Sequence, residues 1–346
     1  MTTLDFSEAI IENLITHRIG NKSLEEVNVL SQEPTIVDDF DTRRYLLTYF
    51  LSPFKPVDFQ QFSHPVDLEH NVLHTAVSDI FTNSESLISQ SQQIAKLLYE
   101  CSTHPKVQAG ELNVVRFSGI RLDQEIVDAV GIYKSESQVP FVQMIKNMDR
   151  YSIDHQFGFD LMGLNKGCLV INTRRDEGYR VLVVDTKNKN LEAQYWTNDF
   201  LKITPTGDGY NLTKEYMRVT RDFVEDLATQ REMPKPDQIE LLNRTVDYFK
   251  ANDVYEQSSF EDEVFQDVGI IQDFRNYDQE VRAVSEPVQT FEISPQAVQN
   301  QSKIFKSVLK LDKNFHIYIH GNRDLIERGK DENGKKYYKV YYEEEH

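Results

Sequence analysis

Two cysteines, Cys101 and Cys168, are all that 346 residues provide, and they form no Cys-x-x-Cys pair. That scarcity excludes a zinc ribbon, thioredoxin-like redox chemistry and a disulfide framework. Long apolar runs are missing too: none approaches the roughly 20 residues that cross a bilayer. Asp5, Glu8 and Glu12 interrupt the place where a secretory leader would be apolar, so a cytoplasmic protein is expected. Glycine (14) and proline (11) are too few for a collagen-like or low-complexity chain. The phosphate-loop pattern is also lacking. Gly163-Leu-Asn-Lys-Gly167 has no Lys-Ser/Thr ending and leads into a strand-like run, so it reads as a turn.

What is present suits a large core: 20 Phe, 17 Tyr and 39% hydrophobic residues. The length suggests two domains, divided here as residues 1–210 and 211–346. Acid exceeds base, 56 Asp and Glu to 38 Lys and Arg, for a net charge of −18. The excess is uneven: −9 over residues 1–150, zero over 151–220, −11 over 221–300 and +2 over 301–346. A polyanion repels nucleic acid overall, but the neutral and basic stretches leave local contact open.

Periodicity predicts an α+β fold with a helical N-terminal part, a mainly antiparallel central sheet, an acidic helical segment and a small C-terminal antiparallel sheet. Apolar residues near a 3.6 spacing predict helices over Phe6–His17, Asp39–Leu51, Val66–Phe81 and Ser84–Cys101, with Lys22–Leu30 as a short strand. Strand-like segments are expected at Leu112–Phe117, Ile126–Lys134, Gly167–Arg174 and Tyr179–Thr186, the last two separated by the turn-rich Arg175-Asp-Glu-Gly178. The short connections imply antiparallel pairs, with no β-α-β rhythm. Helices follow over about Leu212–Arg231, Pro236–Asn252 and Ser259–Ala283, the last opened by a capping box at Ser259-Phe-Glu-Asp262. From Ser302 alternation returns at Ile304–Leu311, Phe315–His320 and Tyr337–Tyr342.

Several clusters could carry chemistry. His70 and His74, one helical turn apart with Asp67 before them, could hold a metal. With no third ligand at a recognisable spacing, they read as structural histidines beside a core, and no metal or cofactor is expected. Asp185-Thr-Lys187 ends a strand as in some metal-dependent nucleases. Its hairpin partner should fall near Cys168 or Leu169, which are not acids, so no catalytic residue is assigned.

The basic residues form two islands. Arg174, Arg175, Arg180, Lys187 and Lys189 gather around one hairpin. In the C-terminal sheet, alternation sets Lys306, Lys310, His316, Tyr318, His320, Tyr337, Lys339 and Tyr341 on one face, opposite Phe305, Leu309, Leu311, Phe315 and Ile317. Lysine mixed with tyrosine suits phosphate contact plus base stacking, although an ordinary solvated strand face has the same composition.

The order of segments resembles the bacterial nucleoid-associated protein family named for a thirty-seven-kilodalton member. The likeness rests on an N-terminal helix LDFSEAIIENLI (Leu4–Ile15), GCLVINTRRDEGYRVLVVD (Gly167–Asp185), EAQYWTNDFLKI (Glu192–Ile203), the helix YMRVTRDFVEDL (Tyr216–Leu227) and the hairpin VLKLDKNFHIYIHG (Val308–Gly321). It covers most of the chain and implies a non-enzymatic protein of the bacterial nucleoid with DNA, or also RNA, as ligand. The alternatives are an acidic module whose helices at 221–300 dock a basic protein partner and, further off, a metal-dependent nuclease.

Overall fold

A computed structural model describes residues 2–105, 107–136, 138–186, 195–282, 288–305, 308–311, 313–319 and 325–344. The chain divides into two compact units, Met1–Thr206 and Gly207–His346.

The first unit is built on an eight-stranded antiparallel sheet of β1 (Leu4–Asp5), β2 (Ile10–Ile19), β3 (Gln60–Phe62), β4 (Gly110–Leu122), β5 (Glu125–Ser135), β8 (Lys166–Ile171), β9 (Arg180–Asp185) and β10 (Ile203–Pro205). The order is β1-β4-β5-β8-β9-β3-β10, with β2 also paired to β4. Between β5 and β8 the chain leaves this sheet to form a separate hairpin, β6 (Val139–Asn147) and β7 (Arg150–Gly158).

Helices cover the sheet on both faces. On one side α2 (Val72–Thr82) and α3 (Leu87–Cys101) pack Leu73, Ile80 and Ile94 against Ile15, Val114, Ile132 and Val170. On the other, Tyr49 and Phe50 of α1 (Phe40–Leu51) meet Leu14, Val115, Tyr133 and Ile171. Burial on both faces explains why β8 reads as an unbroken apolar run with every residue buried.

The same burial overturns the helix expected over Phe6–His17, which is strand from Ile10. Leu14 and Ile15 are both apolar because they enter opposite cores, and a register shift between Ile11 and Asn13 breaks the alternation. Together these mimic a helical period. Lys22–Leu30 is likewise not a strand: Lys22–Leu24 is a 3-10 turn, and Val29 makes a lone bridge to Arg18. The helix expected from Val66 begins only at Val72, because the Asn71 side chain caps it by accepting from the Leu73 and His74 N–H groups.

The second unit holds α4 (Gly209–Gln230), α5 (Lys235–Ala251), α6 (Gln257–Val264), α7 (Val268–Arg282) and α8 (Pro295–Ser302) around an aromatic core that includes Tyr216, Phe223, Phe249, Tyr255 and Phe260. The single helix expected over Ser259–Ala283 is two, broken where Gln266 takes a left-handed φ of 61° and Asp267 caps Ile270. Ser259 lies inside α6, not at its cap, and its hydroxyl donates to Glu263 at 2.8 Å. Strands β11 (Val254–Glu256) and β12 (Thr290–Glu292) pair, as do β13 (Val308–Leu311) with β14 (Phe315–Tyr318) and β15 (Ile326–Lys330) with β16 (Lys336–Val340). Among the described residues the C-terminal strands thus form two separate hairpins where one small sheet was expected.

Candidate nucleic-acid interface

The first basic island splits on the structure. Arg174 and Arg175 stand exposed in the turn between β8 and β9, where Arg174 takes φ 56° and Gly178 φ 100°. Arg174 pairs with Glu177 at 3.2 Å, both ends well exposed, a contact that a phosphate can displace at little cost. Arg180, at the start of β9, is half-buried with its guanidinium 5.2 Å from the centre of the Phe59 ring. Lys187 and Lys189 lie outside the described residues. The strand they follow ends at Asp185, five residues from Arg180 and so about 16 Å from the arginine turn.

The second island keeps its alternation within each hairpin but not between them. Lys310 pairs across strands with His316, and Val308 with Tyr318, while Leu309 and Ile317 turn toward buried Ile239 and Ile326. Lys310, His316 and Tyr318 are exposed together on one face. Phe315, expected on the buried side, is exposed. Lys306 and His320 fall outside the described residues. Lys339 belongs to β16. Its ammonium sits 4.6 Å from the Tyr341 ring and 3.9 Å from Glu327, and the Tyr341 hydroxyl, then its charge and that of Glu327, hold its pKa above the ordinary value.

Sequence reasoning missed the other cations of that hairpin. Lys330 and Lys336 face each other across β15–β16, with Arg328 and Lys335 beside them, all exposed. Two lysines directly opposed repel, so an anion laid between them is favoured. The cations were visible as ERGKDENGKK, but β15 carries too few apolar residues to announce a strand.

It also missed a charged cluster inside the first unit. Lys134 on β5, Lys166 on β8 and Asp185 on β9 lie in one row across the sheet, and both lysines are fully buried. Lys166 donates to Asp185 at 2.7 Å; Lys134 pairs with Glu136 at 3.1 Å and donates to the Gln108 carbonyl at 2.8 Å. Tyr195 caps the row, its ring 5.3 Å from the Lys166 ammonium and 5.9 Å from that of Lys134. Burial first, then the Glu136 charge, pushes the Tyr195 phenol far above its ordinary pKa, so it remains a donor. The partner of Asp185 is therefore Lys166, two to three residues from the expected position, and each of the two carboxylates is held by an ammonium.

His70 and His74 do not share a helix face. His74 is buried on α2, its Nε2 3.2 Å from the Arg175 carbonyl and its ring 5.3 Å from that of Tyr179, so it braces the arginine turn. His70 ends a 3-10 turn and stacks on His64 at 5.4 Å. Among the described residues no three His, Cys, Asp or Glu converge as metal ligands.

Fold and surface together define an antiparallel α+β protein that displays cations on exposed turns and hairpins and buries two lysine–carboxylate pairs, Lys134 with Glu136 and Lys166 with Asp185. Residues 15–345 match the family NA37, nucleoid-associated protein YejK, and the chain belongs to that family. The match covers nearly the whole chain and leaves all of Leu4–Ile15 but its last residue outside. No curated protein matches the chain. Among the described residues no helix is long and apolar enough to cross a membrane.

Proposed function

We propose that this chain is a non-enzymatic nucleoid protein that touches nucleic acid directly, double-stranded DNA first and RNA through the same phosphate chemistry. One observation carries the reading: Lys310, His316 and Tyr318 stand exposed on a single hairpin face, which offers a phosphate contact beside a stacking surface. The exposed Arg174 and Arg175 offer a second, separate phosphate site on the first unit. The net charge of −18 does not oppose this, because charges beyond about 8 Å are largely screened at physiological salt.

A second reading has its own observation. Glu225, Asp226, Asp247, Asp262, Glu263 and Glu280 are all exposed on α4 to α7, a surface suited to a basic protein partner. A nuclease has less support, since lysine ammonium groups occupy both Asp185 and Glu136.

Changing Arg174, Arg175 and Arg180 to Ala separates the first two readings. Direct contact predicts weaker DNA binding for all sequences alike, with a log–log salt slope reduced by about one per lost phosphate contact. Affinity and slope that survive this change, and the further loss of Lys306 and Lys310, favour the acidic docking reading.

A further inference from the structure

The β6–β7 hairpin turns most of its side chains to solvent. Every residue of Val139–Asn147 except Ile145 is exposed, as is every residue of Arg150–Gly158 except Gly158. Strand alternation sorts these side chains onto two unlike faces. The register sets Pro140 opposite Phe157, Val142 opposite His155, Met144 opposite Ile153 and Lys146 opposite Tyr151, all on one face. There Met144 is 73% exposed, Ile153 70%, Val142 66% and Phe157 60%. The other face holds Gln143, Asn147, Arg150, Ser152, Asp154 and Gln156; its apolar members are fewer and less exposed, Val139 at 43%, Phe141 at 46% and Ile145 half-buried. A lone two-stranded hairpin is marginally stable in water, and a contiguous apolar patch on one marks a contact surface.

We propose that two copies of this chain associate through these hairpins, apolar face on apolar face, as a two-layer, four-stranded sandwich. Charge selects the second copy over other occupants. The chain carries −18 overall, so its acidic surfaces repel a second copy. The hairpin is an exception, because Lys146 and Arg150 balance Asp149 and Asp154. On the apolar face the one formal charge is Lys146, at the far end, where its stem can pack and its ammonium reach water. Nucleic acid or an anionic membrane would require several cations on that face, and a basic protein would require acids. A neutral apolar face is matched by itself, and two-fold symmetry presents the same patch from both copies.

The area is sufficient. Val142, Met144, Tyr151, Ile153 and Phe157 expose on the order of 500 Å² per copy, so the pair buries about 1,000 Å², the lower bound for a specific interface. Facing sheets stack about 10 Å apart, which suits side chains of this size. An interface of that area gives a reversible, concentration-dependent dimer. The proposal does not rest on nucleic-acid binding.

Sedimentation of the full chain across a hundredfold range of concentration tests it. The wild type should pass from monomer to dimer, and Met144→Asp with Ile153→Asp should stay monomeric with its thermal transition in place. A separate variant, Met144→Cys, places a thiol in the central pair of the face and should give a disulfide-linked dimer on mild oxidation. The native Cys168 is buried and Cys101 half-buried, so the wild type supplies the background. A wild type that remains monomeric throughout overturns the proposal, as does a dimer that survives the double substitution. Failure of Met144→Cys to cross-link counts against it even if the double variant does not fold. A monomeric wild type that binds anionic vesicles or duplex DNA, and loses that binding with Met144→Asp and Ile153→Asp, would assign the face to that partner instead.

Discussion

His17 lies inside β2 with its ring nitrogens both engaged. Nδ1 accepts from the Ser31 N–H at 3.0 Å, so Nε2 carries the proton and donates to the Ser91 hydroxyl at 3.0 Å, which in turn donates to the Ile88 carbonyl. Burial holds its pKa below the ordinary 6.5, and a second proton would break the Ser31 bond. The unfolded chain takes up a proton near that ordinary value and the folded chain only at lower pH. Stability from neutral His17 is therefore complete above it and lost as the pH falls. The melting temperature should drop between about pH 7 and about pH 5, and His17→Gln should drop less over the same interval. Parallel pH profiles would contradict this. The Lys166–Asp185 pair makes a second residue-scale claim. Asp185→Ala leaves a fully buried ammonium without its carboxylate and should cost about 3–5 kcal/mol in denaturant unfolding. Lys166→Met combined with Asp185→Leu should cost less than the two single changes added together. Additive losses would show that the pair is not coupled.

At the scale of elements, legibility followed how simply each side chain's environment repeats. Strands β8 and β9 stood out as apolar runs on either side of the turn-rich Arg175–Gly178, and the helices α1 and α3 and the hairpin β13–β14 because one period runs through each. Strand β2 did not, since its apolar residues serve two cores across a register shift. The β6–β7 hairpin was missed because Val139-Pro-Phe-Val142 runs without alternation and Pro140 reads as a strand breaker, although proline is tolerated where no further strand must pair. The arginine turn was legible, but its support was not. Phe62 on β3 donates to the Gly178 carbonyl at 2.8 Å, and a Cβ at Gly178 would lie 2.3 Å from the Phe62 oxygen. Gly178 also holds φ 100°. Gly178→Ala should therefore destabilise the protein by at least about 2 kcal/mol and loosen the display of Arg174 and Arg175. Gly207→Ala, with nothing within 4 Å, should change stability by about 0.5 kcal/mol or less. Equal effects at the two glycines would refute the packing argument.

Across the whole molecule, the issue is how a chain of −18 can associate with a polyanion. In the helical block Arg275 is engaged by buried Glu261, Arg231 by Asp273 and Arg244 by Glu240, while Glu225, Asp226, Asp247 and Glu280 face solvent. Exposed cations stand on turns and hairpins, among them Arg175, Lys310, Lys330 and Lys336, and singly on helices, as Lys96 and Lys250 do. Alternation in the sequence marked the Lys310, His316 and Tyr318 face, whereas the opposed Lys330 and Lys336 went unmarked because their hairpin carries too few apolar residues to reveal its strands. The family assignment rests on the match over residues 15–345. Fluorescence-polarisation binding of the intact protein to duplex DNA at two salt concentrations tests the central claim most directly. Direct phosphate contact predicts measurable binding at low salt that weakens steeply as salt rises, with a log–log slope set by the number of contacts. Absence of binding at low salt, or an affinity indifferent to salt, would contradict the account and turn attention to a basic protein partner on the acidic helices.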